Sequence, residues 1–361
     1  MKENTYYSEA DHGPWHTASL GEFTLEEGMT LPQLNLVYAT HGKLNSARDN
    51  AILVPTWYSG TSKIMEQVYV GAGRALDPEK YFIIIANQIG SGISTSPHNS
   101  EPPFNMGNFP NIRIADDVRA QHKLITEHLK IDTLALVVGG SMGAQQTYEW
   151  AVRYPDMVKR AAPIAGYAKN TDHDYLYTQT LIEAITSDPG YNEGEYSSHL
   201  EVKEGLKRHA KIWSTMGFCT EFFAQECWKE LGFNSVMAFQ TDFMEALFTQ
   251  MDPNNLLCMA WKWQRGDVSR ASDGDLTSAL SRIKAKTFVM PIDTDMFFTV
   301  KDCKREQEMI AGSEFRPLTS LGGHLALFGF DKEYLTQVDS HLKDLLSFKI
   351  YKFKDPICND Q

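Results

Sequence analysis

Gly139-Gly140-Ser141-Met142-Gly143 follows the apolar run LALVV directly and opens a segment of strong helix formers. A serine flanked by glycines at a strand-to-helix turn is raised above a sheet, with the helix N-terminus aimed at any negative charge that forms there. Such a hydroxyl is a weak nucleophile until a base takes its proton, and the base needs a carboxylate to orient it. In this context the chain order is serine, acid, histidine. Five histidines lie downstream of Ser141: His173, His199, His209, His324 and His341. His324 stands on a glycine-rich stretch, LGGHLALF, after the last strand signal, where it can reach over the serine. The other four lie in helical patterns or in a long aromatic segment.

The acid is expected in PIDTDMFF, just past the strand KTFVMP. Asp295, four residues before the turn-closing Thr299, is the first choice. Asp293 is the alternative, and would otherwise cap the turn. Two backbone N–H donors must face the developing oxyanion. One is expected from Met142. The other is expected from the loop after AILV, with Trp57 preferred and Tyr58 next. The predicted site is therefore Ser141, Asp295 and His324 with Trp57 and Met142, and it needs neither cofactor nor metal.

Elements able to position these groups are legible around them. Leu34, Leu36 and Tyr38 alternate as in a half-buried strand. Ala51–Val54, Tyr81–Ala86 and Leu134–Val138 are short and apolar on both faces, as central parallel strands are. Residues 114–129 carry helical spacing, as does the stretch after Ser141 up to Pro155. Strand signals return at 286–292 and 315–318. Between 169 and 275 the chain is rich in Trp, Phe, Met and Tyr without a strand signal. The expected division is a core over 1–168 and 276–361, interrupted by a helical lid over 169–275; the alternative is that these helices belong to the core itself.

The whole chain sets limits on function. Its 361 residues are 42% hydrophobic and 22% charged, as in a globular protein that buries a large core. A formal charge of −12 disfavours contact with phosphate backbones, so no nucleic-acid partner is expected. Cys219, Cys227, Cys258, Cys303 and Cys358 form no C-x-x-C pair, which excludes a zinc ribbon and suits a reducing compartment. With no apolar run of signal-peptide or membrane-spanning length, a cytoplasmic protein with no membrane partner is expected. Gly71-Ala-Gly73-Arg74 lacks the third glycine of a dinucleotide loop. Trp261 and Trp263 are read as lid packing rather than a sugar platform.

From about Leu31 to Leu346 the chain resembles the homoserine O-acetyltransferase branch of the α/β-hydrolases. The resemblance rests on LNLVYATHGKLN, VGAGRALDPEKYF, VVGGSMGAQQTYEWAVRYPDMVKRAAPIAG, DPGYNEGEY, GDVSR and ALSRIKAKTFVMPIDTD. It implies an α/β-hydrolase fold with a mostly parallel sheet and an inserted helical lid, a homodimer built through that lid, an acyl-enzyme on Ser141, and a deep tunnel. The branch holds both acetyltransferases and hydrolases of short esters. This chain has Pro-Thr-Trp-Tyr-Ser-Gly where the transferases carry His-Ala-Leu-Thr-Gly, and Gly143-Ala144-Gln145 where they carry Gly-Gly-Met. Ile182 and Leu325 stand where the transferases place an arginine and an aspartate able to meet a zwitterionic acceptor. The expectation is a serine esterase for small short-chain esters, such as alkyl acetates. The alternatives are an acetyl-CoA-dependent O-acyltransferase and a catalytically silent binding protein.

Overall fold

The computed structural model describes residues 4–349. Eight strands form the main sheet: β1 (His16–Ser19), β2 (Asn35–His41), β3 (Ala51–Pro55), β4 (Phe82–Ala86), β5 (Leu136–Gly140), β6 (Arg160–Ile164), β7 (Lys286–Val289) and β8 (Glu314–Phe315). Their order is β1-β2-β4-β3-β5-β6-β7-β8. β2 runs antiparallel to both of its neighbours, β1 and β4, and every other pair in the sheet is parallel. Every residue of β3 and β5 is buried, as expected of central strands covered on both faces. Side chains alternate between two cores: Leu53, Ile84 and Val137 on one face, Ile52, Ile83 and Val138 on the other.

The larger helices are α1 (Ser62–Tyr69), α2 (Ile114–Lys123), α3 (Met142–Arg153), α4 (Asp172–Thr186), α5 (Lys203–Gly217), α6 (Pro253–Gln264), α7 (Val300–Gln307) and α8 (Lys332–Ser347). The helix expected over 114–129 is α-helical only to Lys123 and continues as a wider turn over Leu124–His128. β5 starts two residues later than its apolar run and extends through Gly139 and Gly140, which pair with Pro163 and Ile164. β6, with the sequence RAAPI, and the edge strand β1, with HTAS, give no strand signal of their own. Neighbouring strands impose their conformation.

The segment 169–275 contains α4, α5 and α6 joined by short helical turns. Its ends meet through an antiparallel bridge between Lys169 and Asp267, whose side chains pair at 3.0 Å. Its Trp213, Trp263 and Phe248 belong to the same hydrophobic cluster as Leu53 and Val137, so it has no separate core. Lys262 of α6 is wholly buried against Asp117 of α2, with N–O 2.5 Å, and also donates to the Ile89 carbonyl. Cys219, Cys227, Cys258 and Cys303 are free thiols; Cys358 lies outside the described residues. No described helix is long and apolar enough to cross a membrane.

Candidate active site

Ser141 stands at the junction of β5 and α3 with φ 54° and ψ −124°, a conformation an L-residue holds only when its surroundings enforce it. Two glycines allow the turn. A β-carbon on Gly139 would lie 2.5 Å from the Gly143 backbone, and one on Gly143 would lie 2.6 Å from the Pro55 carbonyl oxygen. Strand, helix and the loop after β3 thus converge on the serine with no room for side chains between them.

His324 lies on a short helical turn, Gly323–Phe328, rather than an open loop. Its Nε2 is 2.9 Å from Ser141 Oγ and its Nδ1 is 2.6 Å from Asp295 Oδ2. A carboxylate only accepts, so Nδ1 carries the proton and Nε2 is left to accept from the serine hydroxyl. Asp295 Oδ1 accepts from the Phe297 and Phe298 N–H groups at 3.1 and 3.0 Å. Both carboxylate oxygens are therefore fixed, and the histidine with them. Ser141, His324 and Asp295 are 3%, 2% and 6% exposed, so the chain of bonds runs in a water-poor interior. Asp293 stands apart. Its Oδ1 accepts from Ser320 N and its own N–H donates to Leu318, which joins the acid loop to the histidine loop.

Trp57 and Tyr58 follow β3 beside the serine. Among the described residues the N–H groups of Trp57, Tyr58 and Met142 donate to no protein acceptor. The loop that carries the first two is held at Thr56, whose carbonyl accepts from Gln88 Nε2 at 2.7 Å and Gln146 Nε2 at 3.0 Å. These two buried glutamines escaped sequence reasoning; Gln146, between Gln145 and Thr147 in α3, carries no signal that sets it apart from its polar neighbours. The Tyr58 hydroxyl donates to the Leu256 carbonyl and lies 3.0 Å from His209 Nε2. Burial pulls the His209 imidazole down to about 3, so it is neutral and donates to the tyrosine oxygen.

The narrow cavity over Ser141 is walled by Trp57, Tyr58, Trp213, Phe248, Leu325 and Leu327. No charged side chain lines it. Ile182 does not reach it. α4 buries Tyr177, Thr178, Leu181 and Ile185, which turns Ile182 sideways into an outer groove beside Leu257 and Trp261. Ile182, at the position of the transferases' arginine, therefore lies outside the serine cavity, whereas Leu325 lines it. No group of three or more His, Cys, Asp or Glu side chains is placed to hold a metal among the described residues.

Residues 52–328 match the family model described as the α/β-hydrolase fold, and the chain belongs to that family. Within it the chain falls in the branch that holds esterases and homoserine O-acetyltransferases. It is 60% identical over 348 residues to the ethyl acetate hydrolase of Pseudomonas veronii, covering 96% of this chain and all of that protein. The crystal structure of an acetylester hydrolase from Corynebacterium glutamicum superposes with a TM-score of 0.95 at 55% identity, covering 96% of this chain and all of the other. The homoserine O-acetyltransferase of Trichormus variabilis is 30% identical over 340 residues, covering 91% of this chain and 93% of that protein.

Proposed function

We propose that this protein is a serine esterase that hydrolyses small, uncharged short-chain esters, alkyl acetates first among them, through an acyl-enzyme. The observation that carries this reading is the hydrogen-bonded series Asp295–His324–Ser141 at the floor of an uncharged, aromatic-walled cavity. The 60% identity to an ethyl acetate hydrolase supports the same substrate class.

In this mechanism Ser141 Oγ attacks the ester carbonyl while His324 Nε2 takes the hydroxyl proton. The Asp295 carboxylate stabilises the imidazolium that forms. The N–H groups of Met142 and Trp57 receive the negative oxygen, each worth about 3 kcal/mol in the transition state. The proton on Nε2 passes to the alkoxide, the alcohol leaves, and a water attacks the acyl-serine by the same steps in reverse.

Homoserine is disfavoured as an acceptor. It is a zwitterion, and desolvating it demands a partner for each charge, whereas Leu325 and the aromatic wall offer none. The deciding experiment supplies the enzyme with ethyl acetate, and separately with acetyl-CoA and homoserine. Release of acetate and ethanol with negligible O-acetylhomoserine is expected. Rapid O-acetylhomoserine formation without ester hydrolysis would replace the esterase reading by a transferase one.

Two copies are proposed to pair through the inserted helices, which expose Leu176, Leu200 and Met237 at 64%, 59% and 61%. Light scattering on the purified chain reads the mass directly. The free thiols fit a reducing compartment.

A further inference from the structure

Hydrolysis by an acyl-enzyme sets a problem that this cavity makes acute. The ester fits an apolar chamber, but the second half of the reaction needs a water at the acyl carbon, and apolar walls hold water poorly. Next to the chamber lies a second, smaller cavity. Tyr58 and Ser59 line both, and so form the partition between them. The second cavity carries more polar groups than the first, although Met251, Leu256 and Met259 line it as well. Ser59, Thr61, Ser91 and Asn255 face it, beside Tyr6 and Tyr7. Tyr7 in turn borders a wide polar cleft, next to His98 and Glu101.

The partition has one fixed half and one free half. Tyr58 is 3% exposed, and its hydroxyl is committed to the Leu256 carbonyl and to His209. Ser59 is only partly buried and its hydroxyl makes no hydrogen bond to the protein among the described residues. In the second cavity Ser91 Oγ donates to the Gln88 carbonyl and Thr61 Oγ1 lies 3.2 Å from His12 Nδ1. Each hydroxyl keeps a free lone pair, and the space they border suits a single water.

We propose that this second cavity holds the deacylating water, and that Ser59 is the positioning residue that passes it to the acyl-serine. The inference rests on the esterase reading. The water oxygen bonds to the acyl carbon as its proton moves to His324 Nε2. The carbon–Oγ bond then breaks, the proton returns from Nε2 to Ser141 Oγ, and the carboxylic acid departs. Larger alcohols and the ester itself use the apolar chamber, whose wall also includes Phe243, Leu247 and Phe328.

The test is a partition experiment. The enzyme is acylated with p-nitrophenyl acetate in the presence of 1-butanol, and butyl acetate is measured against acetate. Both nucleophiles attack the same acyl-serine, so a general loss of catalytic geometry lowers both products and leaves their ratio unchanged. Ser59→Val is expected to raise the butyl acetate to acetate ratio about tenfold, the effect of one lost hydrogen bond to the attacking water. Ser59→Ala, which removes the hydroxyl without adding bulk, is expected to raise it as well, and Ser59→Thr to restore the wild-type ratio. A ratio unchanged in both Ser59→Val and Ser59→Ala overturns the water route while leaving the esterase reading intact. Wild-type enzyme that releases no burst of p-nitrophenol overturns the esterase reading itself.

Discussion

Gly323 faces the Gly217 carbonyl so closely that a β-carbon on Gly323 would lie 2.6 Å from that oxygen. Gly323 precedes His324 and has φ +56°, while Gly217 is the last residue of α5 in the inserted segment. The same contact is sealed from the other side, since a β-carbon on Gly217 would lie 2.9 Å from Leu325 Cγ. The position of the histidine is therefore set partly by the insertion, through backbone-to-backbone packing that only glycine permits.

Gly323→Ala is accordingly expected to displace His324 from Ser141. The left-handed backbone alone costs about 1–3 kcal/mol for a residue with a side chain. If that cost is relieved by moving His324 off Ser141, turnover of a short ester should fall about 5- to 150-fold, with a smaller change in KM. Steady-state kinetics alongside a thermal melt separates this from simple loss of folded protein.

Ser141→Ala should lower ester turnover by several orders of magnitude, because nucleophile, base and acid act as a unit. Asp295→Asn should cost more than Asp293→Asn, since Asp295 Oδ2 alone meets His324 Nδ1 and fixes its tautomer. Comparing kcat of the two asparagine variants checks the assignment; a larger loss in Asp293→Asn would move the acid.

Lys262 and Asp117 pair with no exposure of either side chain, and Lys262 carries α6 of the insertion onto the core. Removing one partner leaves the other charge buried and alone. Lys262→Met is expected to destabilise the protein by about 3–5 kcal/mol, and Lys262→Met combined with Asp117→Leu by distinctly less. Urea unfolding of the two variants measures the difference.

Asp174, near the start of α4, is buried with Oδ2 bonded to Thr171 and Oδ1 without a partner. Burial, more than the nearby charge of Asp295, raises its carboxyl from 3.8 to about 7. Between these values the unfolded chain has released a proton that the folded chain keeps, so this group removes stability as pH rises from about 4 to about 7. Asp174→Asn should match wild type near pH 4 and grow more stable relative to it up to pH 7, then hold a constant advantage. The gap corresponds to at most about 4 kcal/mol. Melting temperatures of both proteins across that range show whether the curves diverge in this direction.

Much of this molecule is written locally. The runs AILV, FIII and LALVV must be buried on both faces, because no polar side chain interrupts them, and so they specify central strands. The glycines around Ser141 announce a turn that no other residue tolerates, and the order serine, acid, histidine leaves few candidates for each role. Asp295 could be preferred over Asp293 from the turn alone. What local sequence does not carry is any contact whose strength depends on a distant partner. β6 is a strand because β5 and β7 flank it, not because RAAPI favours one. Gln88 and Gln146 fix the Trp57 loop only once two remote segments share the Thr56 carbonyl. Ile182 stands at the position of the transferases' arginine, yet it faces an outer groove, because the face that α4 buries decides what reaches the cavity, and a shift of one residue turns a side chain by about 100°. The chemistry is thus legible in residue types, whereas the geometry that confines it is set by packing between residues distant along the chain, from Gln88 on Thr56 to His324 on Ser141.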